Sequence, residues 1–501
     1  MQSPWYNQLL AITVVVTIAV ALWPPKKKAF RRRGIDPGYW NLKVWPARIW
    51  FLIKGHDIVE QAYLQEKDAP YLLQSLNEDA LVLPPRYLPE LRMLPSSKLS
   101  ASLALVTSVL GQHSGVDIIL KDRQHYDIAR VQVTKSLPTL LPILSRKVDS
   151  ILSEELSGCS TSDFTPVKVK NIVSALVLRT TLLTFFGPEL CDNTELQWVM
   201  EEFTNIVRDM AIFMLFIPKF LRPSMQPFLP PTARMKRLHA QARTILFPTA
   251  WNLSKKAGGG DTVINHFLTT SEAVDEKEIV AKLFVLMAGA LHTTKMSTGH
   301  ALIDLCASPE CVPGLKTEAL REHPMHEDSP WQVEEVNRLK LLDSFLKESQ
   351  RFNPPNYLSF DRIATATFAF QDGTVIPEGT FISMPAGPMA MDPENYHDPQ
   401  KFEASRFCGT DGSAAAAATE KLQRTHEFVG TESGNIHWGH GRFTCPGRWY
   451  ASAIMKVIIA QIIRRYDVKF PKGQEERLPN VYLDLIVEPN PKQVVLFRVR
   501  E

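Results

Sequence analysis

"NIHWGHGRFTCPGRWYASAIMK", residues 435–456, sets one cysteine, Cys445, between a glycine-rich loop and an apolar run of helical period. Pro446 follows it, and proline favours the first position of a helix. That places the sulfur at the N-terminus of a helix through "GRWYASAIMKVIIAQII". Backbone N–H groups and the positive helix end favour a thiolate there. Gly441 and Gly447 would let the backbone approach a flat ligand closely. The plain alternative is a buried cysteine in a turn. One anionic sulfur with no second cysteine beside it, and room for a plane, suits a haem iron better than zinc.

Two upstream stretches bear on that choice. In "KESQRF" (347–352), Glu348 and Arg351 stand three apart and share a helix face. An apolar "LLDSFL" leads into them and "NPP" stops the helix after them. A buried arginine must be paired, and its fork of donors can serve two partners at once. "FEASRF" (402–407) offers a second arginine, Arg406, between aromatics. "AGALHTT" (288–294) lies in a long apolar helix over about 275–306, which should run through the interior. Gly289 and Ala290 leave space there, and Thr293 and Thr294 can turn their hydroxyls to the i−4 carbonyl or to a ligand. A groove fits better than packing; a threonine-lined kink is the alternative. His292 reads as a groove or surface histidine, since no partner ligands stand at helical spacing.

The remainder sets the architecture. Of 501 residues, 45% are hydrophobic and 22% charged, and a chain of this length can bury a large core. From about 45 to 345 the period is helical; after 352, "TATFAFQDGTVIPEGTFISMPAG" alternates around Asp-Gly and Glu-Gly turns and reads as short strands. "KKAGGGD" (255–261) is a flexible break, and "DGSAAAAATE" (411–420) a solvent-exposed insertion. The fold class is mainly α with a small β region.

At the N-terminus, Trp5, Tyr6 and Trp23 bracket an uncharged apolar run, and six of the chain's positive charges follow within residues 26–33. A cleaved signal peptide carries its charges before the apolar stretch, so residues 1–23 read as a single-pass transmembrane helix. Residues 24–44 read as a basic hinge and 45–501 as the catalytic body, kept in the cytosol by the positive-inside rule. Asn252, in "NLS", should then carry no glycan. Net charge is +3, so the body beyond the basic cluster is slightly acidic, which argues against nucleic acid. The six scattered cysteines, in a reducing compartment, form no disulfide framework, and Cys306 and Cys311 read as structural.

Taken in order, "AGALHTT", "ESQR" followed by "FEASRF", and "HWGHGRFTCPGR" resemble the cytochrome P-450 family over about residues 45–501. The N-terminus looks like the endoplasmic-reticulum anchor of eukaryotic members. "LVLPPRYLPELRMLP" and "HEFVGTESGNIHWGHG" are most similar to filamentous-fungal members acting on secondary metabolites. The resemblance implies the P-450 fold, haem with Cys445 as axial ligand, and a structural triad of Glu348, Arg351 and Arg406. It implies a haem-propionate contact at Arg362 and another at Arg130, although the usual tryptophan-containing pattern beside Arg130 is missing. Thr293 matches the threonine that helps deliver protons to dioxygen. Three positions depart from the family: Trp438 replaces a phenylalanine, Phe443 replaces a basic propionate contact, and His292 replaces the acid before the threonines. Histidine can still relay protons, since it titrates near neutrality.

The implied function is a haem-thiolate monooxygenase on the endoplasmic-reticulum membrane. It would use dioxygen and electrons from NADPH-cytochrome P-450 reductase, since the chain has no obvious flavin segment. Its substrate would be a lipophilic secondary metabolite, a terpenoid or meroterpenoid by family analogy. The alternatives are a polyketide, alkaloid or peptide-derived scaffold, a non-oxidative isomerase or dehydratase, or a non-catalytic haem-binding membrane protein.

Overall fold

The computed structural model describes residues 30–34, 44–74, 79–215, 217, 219–254, 261–270, 274–324, 329–408, 426–432 and 434–500. The apolar segment 1–23, most of the basic hinge, residues 255–260 and the alanine-rich stretch 411–420 lie outside them.

Interior helix Glu276–Ala307 is the spine of the body. Asp275 starts it, its carboxylate accepting from the N–H groups of Lys277 and Glu278 at 2.9 and 3.4 Å. Glu276 and Glu278 add negative charge to the first turn, opposite in sign to the helix end. Leu283, Phe284, Met287, Leu302 and Leu305 are buried against the neighbouring helices Val169–Phe186 and Arg448–Arg465. Lys282 is buried too, and its ammonium meets Asp122 at 2.6 Å and Glu278 at 2.7 Å, so the charge is compensated. Both Val169–Phe186 and Glu276–Ala307 are long and apolar enough to cross a membrane, yet both are packed within the body.

The helix Lys340–Phe352 ends where expected. Asn353 leaves helical geometry because Pro354 crowds it away from the α region. Almost all of this helix is buried, charges included. Asp343 pairs with Lys456 at 2.5 Å and accepts the Phe428 N–H at 2.7 Å, and Lys347 pairs with Glu432.

A six-stranded sheet flanks the helices, in the order Arg31–Arg33, Tyr71–Gln74, Asp79–Val82, Phe381–Met384, Ser359–Ala364 and Leu99–Ser100. The alternating segment supplies its Phe381–Met384 strand and a small hairpin, Phe368–Ala369 with Val375–Ile376, which turns at Gly373 with φ +85°. A second sheet joins Thr165–Lys168 to Tyr466–Lys469 and Val494–Val499. The hairpin Val481–Leu483/Ile486–Glu488 completes the β structure.

Three sequence expectations change here. The arginine half of the basic hinge is an edge strand: Arg31–Arg33 run parallel to Tyr71–Leu73, with Arg31 and Arg33 on Glu66 and Arg32 on Asp79. Charged side chains on an edge discourage further pairing. The region 45–345 also contains strands at 71–74, 79–82, 99–100 and 165–168. Apolar runs as short as "YLLQ" or "DALV" carry no period that separates strand from buried helix. Finally, the helix after Cys445 begins at Arg448 with Gly447 as its N-cap, so Pro446 precedes the helix and does not occupy its first position.

Candidate active site

Cys445 sits where the glycine-rich loop meets that helix. Its N–H donates to the Trp438 carbonyl at 2.7 Å, and its carbonyl accepts from Arg448 Nη1 at 3.0 Å. Burial pushes the thiol up, while the N–H groups of Gly447 and Arg448 and the Arg448 guanidinium pull it down. The donors expected at a helix N-terminus are therefore in place and oppose the desolvation of the sulfur. Gly441, with φ +72°, is required by the turn, and a Cβ there would lie 3.3 Å from Arg92 Cβ. A Cβ on Gly447 would meet nothing within 4 Å, so this glycine borders open space. Trp438 is held by its indole N–H on the Phe428 carbonyl at 2.7 Å and an edge-on ring contact with Phe428. The side chain of Phe443 lies outside the described residues.

Arginines gather around this loop. Arg362 is buried, leans on the Phe360 ring at 4.2 Å and donates to the Asp361 carbonyl at 2.7 Å. A β-bulge between Ser359 and Arg362, with Phe360 at φ +60°, re-aims this strand segment. A non-glycine residue held there is strained, a feature that clusters at functional sites. Burial depresses Arg362 to about 10. Arg130 lies in a π-helical turn, Ile128–Gln132, and acts electrostatically on Arg448, which in turn acts on Cys445. Tyr126 lies among them: it interacts with Arg362 and Arg448, and its hydroxyl donates to the Arg442 carbonyl at 3.1 Å.

Glu348, Arg351 and Arg406 form one network, with Glu348 and Arg351 fully buried and Arg406 at its edge. Arg351 grips both Glu348 oxygens, at 2.8 and 2.9 Å, and Arg406 Nε donates to Oε1 at 3.0 Å. The remaining arginine donors go to the Ala390, Pro399, His397 and Lys401 carbonyls. This satisfies charges that water cannot reach.

On the interior helix, Gly289 and Thr293 are exposed among buried and half-buried neighbours, and Thr294 is buried. A Cβ on Gly289 would meet nothing within 4 Å, and the Thr293 hydroxyl donates to the Gly289 carbonyl at 2.8 Å. The helix leaves these two positions open. His292 is half-exposed, with Nε2 at 3.8 Å from Glu488 Oε1.

Three participants were not singled out from sequence. Tyr126 stands one turn before Arg130 and Arg448 one turn after Cys445, so local spacing could have found both. Nothing local points from His292 to Glu488, which the tertiary fold alone brings together.

The family model for cytochrome P450 matches residues 104–496. The chain belongs to the cytochrome P450 family. It is 29% identical over 459 residues to ent-kaurene oxidase P450-4 of Gibberella fujikuroi, covering 91% of this chain and 90% of that one. It is 28% identical over 508 residues to cytochrome P450 monooxygenase AN1598 of Emericella nidulans, covering 100% and 93%. It is 29% identical over 471 residues to monooxygenase paxP of Penicillium paxilli, covering 91% and 87%. A retinoic acid-bound cyanobacterial CYP120A1 structure shares the fold, with a TM-score of 0.68 at 17% identity over 90% of this chain and 96% of that one. The protein is thus a haem-dependent monooxygenase whose cofactor is ligated by a cysteine thiolate. The residues present fit that group: a lone thiol at a helix N-terminus, a glycine opening on free space beside it, and arginines to oppose acidic arms.

Proposed function

We propose that the chain hydroxylates or otherwise oxidises a lipophilic secondary metabolite, a terpenoid or meroterpenoid, with Cys445 as the thiolate that would ligate the haem iron. The observation that carries this reading is the open space at two glycines. Gly447 beside the sulfur and Gly289 on the interior helix both border open space in a densely packed body. The bound haem supplies dioxygen activation for inserting one oxygen atom into a C–H bond.

The chain's own residues do the rest. The Gly447 and Arg448 N–H groups stabilise charge on the sulfur. Arg362, Arg130 and Arg448 would oppose the haem's acidic arms, with Tyr126 among them. Glu348, Arg351 and Arg406 fix the segment that precedes the cysteine loop. Thr293 presents a hydroxyl to the groove, and the apolar face around Val285, Leu286 and Ala288 keeps water from the substrate. The relative named for ent-kaurene oxidation supports a terpenoid substrate. Residues 1–23 would anchor the body to the endoplasmic-reticulum membrane, facing the cytosol, where NADPH-cytochrome P-450 reductase supplies electrons.

The test is turnover with NADPH, that reductase and a panel of terpenoid scaffolds under labelled dioxygen. One labelled oxygen atom per product molecule is expected. Product formed at the same rate without dioxygen would instead favour an isomerase or dehydratase.

A further inference from the structure

Glu488 is the last residue of the strand Ile486–Glu488, and the main chain on both sides of it is fastened to the interior helix. On one side, His300 Nε2 bonds the Val487 carbonyl at 3.0 Å. His300 is set for this because its Nδ1 accepts from Arg477 Nη2 at 2.8 Å, which leaves the ring proton on Nε2. Arg477 is itself fixed by an ion pair with Asp304 and a 2.7 Å bond to Asn480. On the other side, Pro489 rests on Gly299: a Cβ there would come within 3.2 Å of the proline Cγ. Glu488 thus reaches from a pinned point to His292, stopping 3.8 Å short of Nε2. That is ion-pair range, longer than a hydrogen bond.

The charges facing His292 come from three elements. Burial disfavours its protonated ring most; Glu488 favours it, and Lys295 and Arg208 oppose it. Those two cations are themselves occupied, Lys295 with Glu201 and Arg208 with Asp209 at 3.8 Å.

We propose that Glu488 is a positioning residue for proton delivery, holding the His292 ring beside Thr293 as the proton carrier that feeds the groove. This rests on the monooxygenase reading above. The ring keeps the Nε2 proton that faces Glu488, takes a second proton from solvent on Nδ1 and releases that one toward the Thr293 hydroxyl. The hydroxyl turns off the Gly289 carbonyl, accepts that proton and passes its own into the groove. Glu488 neither gains nor loses a proton over the cycle.

The test compares haem-loaded wild type with Glu488→Gln, which keeps the size and removes the charge. Carbethoxylation by diethylpyrocarbonate, followed at the His292 peptide by mass spectrometry, reports the neutral ring as pH is varied. The midpoint should fall by about one pH unit in the Gln variant. With reductase and NADPH, hydrogen peroxide released per NADPH should rise at least about threefold, with the reduced carbon-monoxide band unchanged. Glu488→Asp, which keeps the charge on a shorter arm, should fall between the two and guards against a folding defect in the Gln variant. An unchanged midpoint would overturn the pairing, and a shifted midpoint with unchanged peroxide would overturn the relay. Absence of the carbon-monoxide band in wild type would instead sink the haem-thiolate reading, which carbethoxylation does not probe.

Discussion

The segments that support Cys445 and the groove face of the interior helix are built on opposite rules. Around Glu348 the charges are matched, with Glu348 and Arg351 fully buried, two arginines on one carboxylate and backbone carbonyls taking their spare donors. At Gly289 and Thr293, a core helix instead presents a bare glycine and a hydroxyl to open space. A rigid frame needs its charges over-determined, whereas a face open to a ligand must stay unfilled. The same chain meets both needs by spending its ion pairs on one side and its small residues on the other.

The largest effect should come from breaking the matched side. Glu348→Gln leaves two arginines competing for a neutral amide in a dry site, at a cost of about 3–5 kcal/mol. Haem content and the thermal unfolding midpoint should both fall steeply. A stable, haem-replete variant would show that the network is not what holds the frame.

The next effect is pH-dependent. Burial, with Asp361 adding to it, pushes the Asp484 carboxyl up to about 7. An unfolded chain gives up this proton near the ordinary carboxylate range, so the folded state binds more protons from there up to about 7. Stability is therefore lost as pH rises through that window and levels off above it. Asp484→Asn removes the penalty and should stabilise the protein at pH 8 by on the order of 2–4 kcal/mol, with little change at pH 4. Denaturant titrations at the two pH values check this, and an equal effect at both would exclude the titration.

On the open side the effects should be smaller in stability and larger in chemistry. Thr293→Ala removes the groove hydroxyl without disturbing packing, since the side chain is exposed and bonded only locally. Product per NADPH should drop about tenfold, at an unchanged unfolding midpoint. Gly289→Ala should be the mildest: a Cβ there meets nothing, so the helix should gain about 0.5–1 kcal/mol. Substrate-induced spectral shifts should nonetheless weaken if this position faces the substrate. Destabilisation by this variant would mean the space is already filled.

Much of this division could be read from sequence. "ESQR" before "NPP" gave the paired helix because spacing and helix stop are local signals. "AGALHTT" gave the groove because small residues and hydroxyls have no reason to interrupt a core helix. Cys445 gave itself away by standing before a proline and an apolar helix. What stayed hidden is non-local. The Phe360 bulge that re-aims the strand carrying Arg362 depends on register with Phe381–Met384, and no residue type announces it. Glu488 reaches His292 only because His300 and Gly299 fasten its strand to the helix. The arginines of the N-terminal cluster looked like a hinge since "RRR" has no strand pattern; partners at Glu66 and Asp79 make it one.

The central claim is that Cys445 holds the haem. The measurement is the reduced carbon-monoxide difference spectrum of the full chain and of Cys445→Ala, prepared side by side. Wild type should show the thiolate-ligated band at about 450 nm, and the alanine variant should lack it. A band of equal height in both proteins would contradict the account.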